Sequence, residues 1–127
     1  MGDETTTVNQ LKRLVAEFVD RRDWHQFHSP KNLSMSLAIE AAELMEHFQW
    51  LTAEQSRAVA EEEEKLAAVG DELADVLCYV LAMANELGLD LSTVLRRKMV
   101  ANQKKYPAPE FRGRFGPDDP GPEPGRA

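Results

Sequence analysis

The chain has 127 residues, a formal net charge of −7 and 43% hydrophobic residues. This length predicts one domain, and the acidic balance argues against both nucleic acid and an anionic membrane surface as partners, because each attracts basic proteins. The polar N-terminus predicts that there is no signal peptide, the longest apolar run is too interrupted to span a bilayer, and the single Cys78 predicts a reducing, cytoplasmic setting.

The first predicted helix covers about residues 5–22, where apolar residues recur every three or four positions. Residues 23–28, called the aromatic loop below, come next. Ser29 and Pro30 are the residue types expected at an N-cap and at the first helical position. They predict a second helix that ends near His47.

A capping-box pattern between Thr52 and Gln55 predicts a short helix or turn. The acidic run 61–64 is predicted to lie in an exposed first turn, where negative charge is favourable. The third long helix then continues to Leu87, and Gly88 is expected to end it in the left-handed conformation.

Asp90 is the predicted N-cap of a fourth helix that runs to about Lys105. Residues 108–127 are rich in proline and glycine, which predicts a flexible tail without a catalytic role. No segment shows the alternating pattern of a strand. The sequence therefore predicts an all-α domain over residues 1–107.

Two carboxylate pairs lie three residues apart inside apolar segments: Glu40 with Glu43, and Glu72 with Asp75. Acids on helices usually belong to a solvated face. Between residues 73 and 84, however, only two side chains are not plainly apolar, so we expect this helix to be buried and its acids to line an interior site. Four neighbouring carboxylates require a cation, and oxygen ligands favour Mg²⁺, with Mn²⁺ as a substitute.

Flat side chains are concentrated around the aromatic loop, which contains Trp24, Phe27 and His28, and Trp50 follows the second helix. A nucleobase typically stacks between flat apolar side chains, and a few polar side chains hydrogen-bond to its edge. These residues are therefore candidates for a base pocket. The alternatives are core packing for Phe27 and a helix-terminal hydrogen bond for His28.

The fourth predicted helix carries a basic stripe. Its last-turn cations, Lys104 and Lys105, are expected at any helix C-terminus. Lys98 and Asn102 lie one turn apart on one face, so both can reach the same ligand. If this face lies opposite the acids, it supplies the donors that a metal-bound polyphosphate needs.

The ordered set of these residues resembles the all-α nucleoside triphosphate pyrophosphatase superfamily, the MazG-like proteins. The resemblance rests on Glu40-x-x-Glu43, Glu72-x-x-Asp75 after 28 intervening residues, and Lys98-x-x-x-Asn102. Flanking segments narrow it to the dCTP pyrophosphatase branch, over roughly residues 18–107. These segments are Arg22-Asp23-Trp24-His25-Gln26-Phe27-His28, Pro30, Asn32-Leu33, Glu43-Leu44, Phe48-Gln49-Trp50 and Lys105-Tyr106-Pro107.

The resemblance implies a four-helix fold completed by oligomerisation into a homotetramer, a dimer of dimers. It implies that the four acids hold Mg²⁺, that one of them or a neighbouring acid activates water, and that a nucleoside triphosphate is cut between its α- and β-phosphates. It also implies that the aromatic residues shape a base and sugar pocket. The implied phosphate or sugar contacts are Lys31, Tyr79, Lys98, Asn102 and Tyr106.

The expected substrate is dCTP or a modified dCTP, in a nucleotide-pool house-cleaning role. A preference for dUTP or a broad specificity within the same superfamily is the alternative. Two heavily apolar helices in so short a chain also predict, without the resemblance, that a second copy covers part of their surface.

Two other protein classes are alternatives to the enzyme. A di-iron bundle requires Glu-x-x-His on each of two helices, whereas His47 is out of step with Glu43 and the third helix has no histidine. All-oxygen ligation also favours Mg²⁺ over iron. A non-enzymatic helical adaptor is the second alternative, and it predicts that replacing Glu43 or Asp75 leaves function intact.

Overall fold

Six α-helices and two 3₁₀ turns make up the part of the chain, residues 1–116 and 118–121, that the computed structural model describes. No strand occurs in these residues, which confirms the predicted all-α fold. None of their helices is both long and apolar enough to cross a bilayer. The elements are α1 Val8–Arg21, a 3₁₀ turn His25–Phe27, α2 Pro30–Glu46, α3 Ala53–Ala58, a 3₁₀ turn Val59–Glu61, α4 Glu63–Leu87, α5 Leu91–Lys105 and α6 Ala108–Phe111.

The predicted helix caps are present. Ser29, Thr52 and Asp90 each accept a hydrogen bond from the backbone N–H three residues later. Gly88 adopts the left-handed conformation, with φ of 64°, at the end of α4. These positions were predictable because a cap depends on a few neighbouring residues.

The first helix begins later than predicted, at Val8. Thr7 is its N-cap, and the Thr7 and Gln10 side chains each accept from the other's backbone N–H in a capping box. The apolar rhythm alone did not reveal this boundary.

The end of α1 sets the direction in which the aromatic loop leaves the helix. Trp24 N–H donates to the Val19 carbonyl and Asp23 N–H donates to the Asp20 carbonyl, each at 3.1 Å. Asp23 lies in the left-handed region, with φ of 50°. This is the Schellman arrangement, with aspartate in the position that glycine usually takes.

Within the unit Met1–Leu89, α2 and α1 pack against α4. Side-chain hydrogen bonds join the ends of two of these helices: Asn85 Nδ2 donates to the Lys12 carbonyl at 2.9 Å, and Lys12 Nζ donates to the Leu89 carbonyl at 2.7 Å. The buried apolar side chains are Val15, Val19, Leu33, Val59, Leu81, Ala82 and Ala84.

The prediction that the apolar part of α4 is buried all round is wrong for the single chain. Leu73 is 55% exposed and Leu77 is 46% exposed, whereas Leu81 is buried. The physical reason is geometric: the two helices that pack on α4 leave part of its circumference uncovered.

The second unit, Asp90–Ala127, contains α5 and α6. The helical turn α6, Ala108–Phe111, lies at the start of the segment predicted to be a flexible tail, and the flexibility of that segment stays a prediction. Pro109 lies in the first turn of α6, where the missing N–H of proline removes no helical hydrogen bond. The ring of Phe111 packs edge-on against the ring of Tyr106, with centroids 5.3 Å apart. The rest of the tail prediction falls partly on residues 117 and 122–127, which lie outside the described residues.

Candidate active site

Three of the four predicted metal-binding acids lie together where α2 packs on α4. Glu40, Glu43 and Glu72 each offer a carboxylate oxygen within 4.8 Å of the other two. Asp75 lies three residues beyond Glu72 on α4, and its charge acts on Glu40. The i,i+3 spacing aims each pair in one direction, and the packing of the two helices brings the pairs together. We call these four residues the acid cluster.

Glu40 is the acid most affected by its surroundings. Its pKa is raised from 4.5 to about 7, first because it shares a hydrogen bond with Glu43 and then because it is desolvated. The negative charges of Glu43, Asp75 and Glu72 raise the pKa further. Crowding of carboxylates thus makes Glu40 harder to ionise than an ordinary glutamate.

Two carboxylate oxygens of the acid cluster are buried without compensation. Among the described residues, Glu40 Oε2 and Glu72 Oε2 have no hydrogen-bond partner. An uncompensated buried polar atom is unfavourable, and a hard divalent cation with oxygen ligands would satisfy both atoms. The donor set, made of oxygen alone, therefore fits Mg²⁺ or Mn²⁺.

An apolar groove of about 460 Å³ lies beside the acid cluster, between α1 and α4. Asp75 is the one charged residue in its wall. Sequence reasoning missed this groove because the apolar stripe of α1 does not show which helix it faces. The wall consists of Leu11, Leu14, Val15, Phe18, Ala74, Asp75, Leu77, Cys78 and Leu81.

Cys78 lines this groove and is partly buried. Desolvation, and secondarily the charge of Asp75, raises the pKa of its thiol. Since the thiolate is the reactive form, this environment disfavours Cys78 as a nucleophile.

Phe18 connects the groove to the aromatic loop. Its ring packs edge-on against Trp24, with centroids 5.7 Å apart, and Trp24 lies 6.4 Å from the ring of His28. Arg22 places its guanidinium 3.7 Å from the centroid of the Phe18 ring. The predicted Trp24 and His28 therefore belong to one aromatic cluster that reaches the wall of the groove.

His28 and Phe27, at the end of the aromatic loop, differ in burial. Within the described ranges, His28 Nδ1 is buried and makes no hydrogen bond, so the alternative that His28 only caps a helix end has no support at this atom. Phe27 is 59% exposed, so the alternative that Phe27 packs in the core is wrong for the single chain. Asn32 Nδ2 donates to the Phe27 carbonyl at 3.1 Å and fixes the end of the loop.

The other candidates in the first unit lie at separate positions. Lys31 is exposed in the first turn of α2, Trp50 is 86% exposed between α2 and α3, and Tyr79 is partly buried on α4, one turn beyond Asp75. Their roles stay predictions.

The second unit contains the candidates of α5 and its end. Asn102 Nδ2 lies 3.9 Å from the sulfur of Met99, and the Tyr106 N–H donates to the Asn102 carbonyl. Lys98 is exposed on α5. That Lys98, Asn102 and Tyr106 act together with the acid cluster stays a prediction.

Comparison with known proteins gives a consistent result. Residues 35–114 match the MazG-like family. The dCTP pyrophosphatase 1 of Homo sapiens is 41% identical over 102 residues, which cover 80% of this chain and 60% of that protein. That of Bos taurus is 40% identical over 107 residues, which cover 84% and 63%, so the chain spans about three fifths of the length of these relatives.

A solved structure is also similar. The crystal structure of a pyrophosphatase from Archaeoglobus fulgidus superimposes with a TM-score of 0.71 and 34% sequence identity. The match covers 84% of this chain and 98% of that one.

Proposed function

The chain belongs to the MazG-like family, and on that premise we propose that it is a divalent-metal-dependent hydrolase that cuts nucleoside triphosphates between the α- and β-phosphates. The observation that carries the proposal is the acid cluster: two of its carboxylate oxygens are buried without a partner, and Glu40, Glu43 and Glu72 offer ligand atoms within 4.8 Å of one another. Relatives about 40% identical are named dCTP pyrophosphatase, which supports the same reaction class.

The acid cluster would hold Mg²⁺, with Mn²⁺ as a substitute, through Glu40, Glu43, Glu72 and Asp75. When bound, the ion supplies charge neutralisation at the phosphates and a lowered pKa for coordinated water. One of these acids, or a neighbouring acid, orients the attacking water or accepts its proton. No covalent intermediate is needed, because positioning and charge stabilisation account for phosphoryl-group hydrolysis.

Cytosine is the base that we propose for the substrate, with dCTP or a modified dCTP converted to the monophosphate and pyrophosphate. Trp24, Phe27 and Trp50 would supply flat surfaces, and the buried His28 Nδ1 would meet the edge of the base. The apolar groove next to Asp75 offers room beside the acids. Removal of modified cytidine nucleotides from the nucleotide pool is the corresponding cellular role.

Phosphates and sugar require donors opposite the acids. We assign this part to polar and cationic side chains, because a metal-bound triphosphate keeps negative charge that cations and amides stabilise. The residues are Lys31, Tyr79, Lys98, Asn102 and Tyr106.

The working form that we propose is a cytoplasmic homotetramer. Support for self-association comes from the uncovered apolar residues of α4, Leu73 and Leu77. Support for the cytoplasm comes from the lone free cysteine, Cys78. The net charge of −7 is the reason that nucleic acid is not proposed as a partner.

The test of substrate and reaction is product analysis over a panel of triphosphates. dCTP, 5-methyl-dCTP, dUTP, dTTP, dATP, dGTP and the ribonucleotides are incubated with Mg²⁺ or with EDTA. We expect monophosphate and pyrophosphate in equal amounts, fastest from cytosine nucleotides and only with Mg²⁺. A preference for dUTP or for no base would overturn the assignment of the aromatic residues, and no product from any triphosphate would favour the adaptor.

A further inference from the structure

His25 joins three segments of the first unit. Its Nδ1 lies 2.7 Å from Glu86 Oε1, near the end of α4, and its Nε2 is hydrogen-bonded to Asp20 Oδ1 in the last turn of α1. His25 itself begins the 3₁₀ turn of the aromatic loop. One ring therefore connects the loop to the ends of both helices.

The two partners of this ring have a chemical consequence. Carboxylates accept hydrogen bonds, and a neutral imidazole has only one N–H to donate. Only the imidazolium form donates to Asp20 and Glu86 together. Without the second proton, a ring nitrogen lone pair faces a carboxylate oxygen.

We propose that the imidazolium form of His25 is a positioning group that clamps the aromatic loop between α1 and α4, and that its deprotonation loosens the loop and weakens nucleotide binding. The link to binding rests on the proposed function, whereas the clamp itself does not. Trp24 precedes His25 directly, and the Phe27 and His28 N–H groups donate to the carbonyls of Trp24 and His25.

The charges around His25 favour its protonated form. Its hydrogen bonds with Asp20 and then with Glu86 raise its pKa above 6.5, desolvation partly opposes them, and both carboxylates add Coulombic attraction. These are the groups that face the ring from α1 and α4. The cationic Arg22 lies over the Phe18 ring and donates to the Phe18 carbonyl.

The sign of the pH dependence follows from a raised histidine pKa. The clamp is complete below the unfolded-state value of 6.5 and is lost as the pH rises through the higher folded-state value. His25 and Asp20 are 47% and 62% exposed, so solvent screens the pair. We therefore expect deprotonation of His25 to loosen the aromatic loop more than it lowers the stability of the whole fold.

The direct test is an NMR titration of the imidazole nitrogens combined with amide hydrogen exchange. In wild type, the His25 ring is expected to titrate above 6.5, with exchange protection at Phe27 and His28 falling through the same pH range. His25→Arg, which keeps a cation that donates to both carboxylates, should retain protection at high pH, and His25→Gln should lack it throughout. A His25 ring that titrates at or below 6.5, or protection equal in the three proteins, would overturn the clamp whether or not the chain hydrolyses nucleotides.

The functional arm compares KM and kcat for dCTP across the same pH range. We expect His25→Gln to raise KM about two- to fivefold at low pH, the size of an exposed ion pair, with kcat unchanged. His25→Arg should keep KM low where the KM of wild type rises. Because the acid cluster is identical in all three proteins, the ratio of KM values isolates His25. Equal KM profiles would contradict the link to binding.

Discussion

At the residue scale, Glu40 is the acid whose protonation the fold changes most clearly. Its pKa of about 7 arises from its hydrogen bond with Glu43, from desolvation and from neighbouring negative charge. In the unfolded chain the same carboxyl has a pKa near 4.5. Between pH 4.5 and about 7, Glu40 therefore holds its proton more tightly in the folded chain than in the unfolded chain. The metal-free protein should therefore lose stability as the pH rises from 4.5 to about 7.

Glu40→Gln is expected to remove this loss of stability with rising pH, because the amide carries no charge at any pH. In EDTA the variant should melt at a higher temperature than wild type above pH 7 and should show a flatter pH profile. Added Mg²⁺ should raise the melting temperature of wild type, because a ligand that binds only the folded state stabilises it, and should leave the variant unchanged.

The matched control for these thermal melts is Glu46→Gln, at the exposed end of the same helix. It should behave as wild type in EDTA and in Mg²⁺. A Glu40→Gln protein that Mg²⁺ stabilises as strongly as wild type would show that Glu40 does not bind the metal.

At the element scale, α4 links the acid cluster to the clamp. It carries Glu72 and Asp75 near its middle and Glu86 near its end, and it terminates in a Schellman motif at Gly88. Leu89 N–H donates to the Ala84 carbonyl at 2.9 Å in that motif. The direction in which the chain leaves α4 depends on the left-handed φ of 64° at Gly88.

Gly88→Ala should destabilise the fold by about 1 to 2 kcal/mol, because a side chain disfavours the left-handed conformation. A Cβ atom added at Gly88 or at Gly70 would meet no described atom within 4 Å beyond its own chain neighbours and helix backbone, so neither substitution creates a clash within the described chain. Gly70→Ala, inside α4, is the matched control and should stabilise the protein by about 0.5–1 kcal/mol. Urea denaturation at one protein concentration measures both, and equal effects of the two substitutions would contradict the motif.

At this scale, a contact can be predicted from the sequence when its residues lie close together along the chain. The caps at Ser29, Thr52 and Asp90 were correct because each requires only the next three residues. The contact of His25 with Glu86 spans 61 residues and was missed. No local pattern specifies which helix ends meet.

In the candidate site, too, local spacing was predictable and contacts between helices were not. The acid pairs follow from helical spacing, but the groove of Leu14 and Phe18 beside Asp75 requires the packing of α1 on α4. The burial prediction for α4 fails only for the single chain, because apolar composition does not tell how much of a helix the rest of the same chain covers. A second copy is the explanation that we propose.

At the scale of the whole molecule, one chain covers little of its own apolar surface. Among the described residues, Leu33 and Leu81 are buried, at 1% and 3% exposure, whereas Leu14 and Ile39 are 64% and 59% exposed. Exposed apolar side chains on several helices are typical of a subunit interface. They support the proposed self-association.

Self-association is tested by light scattering during size-exclusion chromatography. Wild type is expected at four times the chain mass of 14.3 kDa. Leu73→Glu, which places a charge on the uncovered face of α4, should give smaller species, whereas Leu73→Met should not. A wild-type protein that elutes at the mass of one chain at micromolar concentration would contradict the tetramer.

The most direct test of the central claim is pyrophosphate release from dCTP by wild type, Glu43→Gln and Glu46→Gln, each with Mg²⁺ and with EDTA. We expect Mg²⁺-dependent release by wild type and Glu46→Gln, and a loss of about 100-fold or more in Glu43→Gln, since metal-held charge stabilisation is worth several kcal/mol. Release by Glu43→Gln at the wild-type rate, or release that persists in EDTA, would contradict the claim that the acid cluster is the catalytic centre.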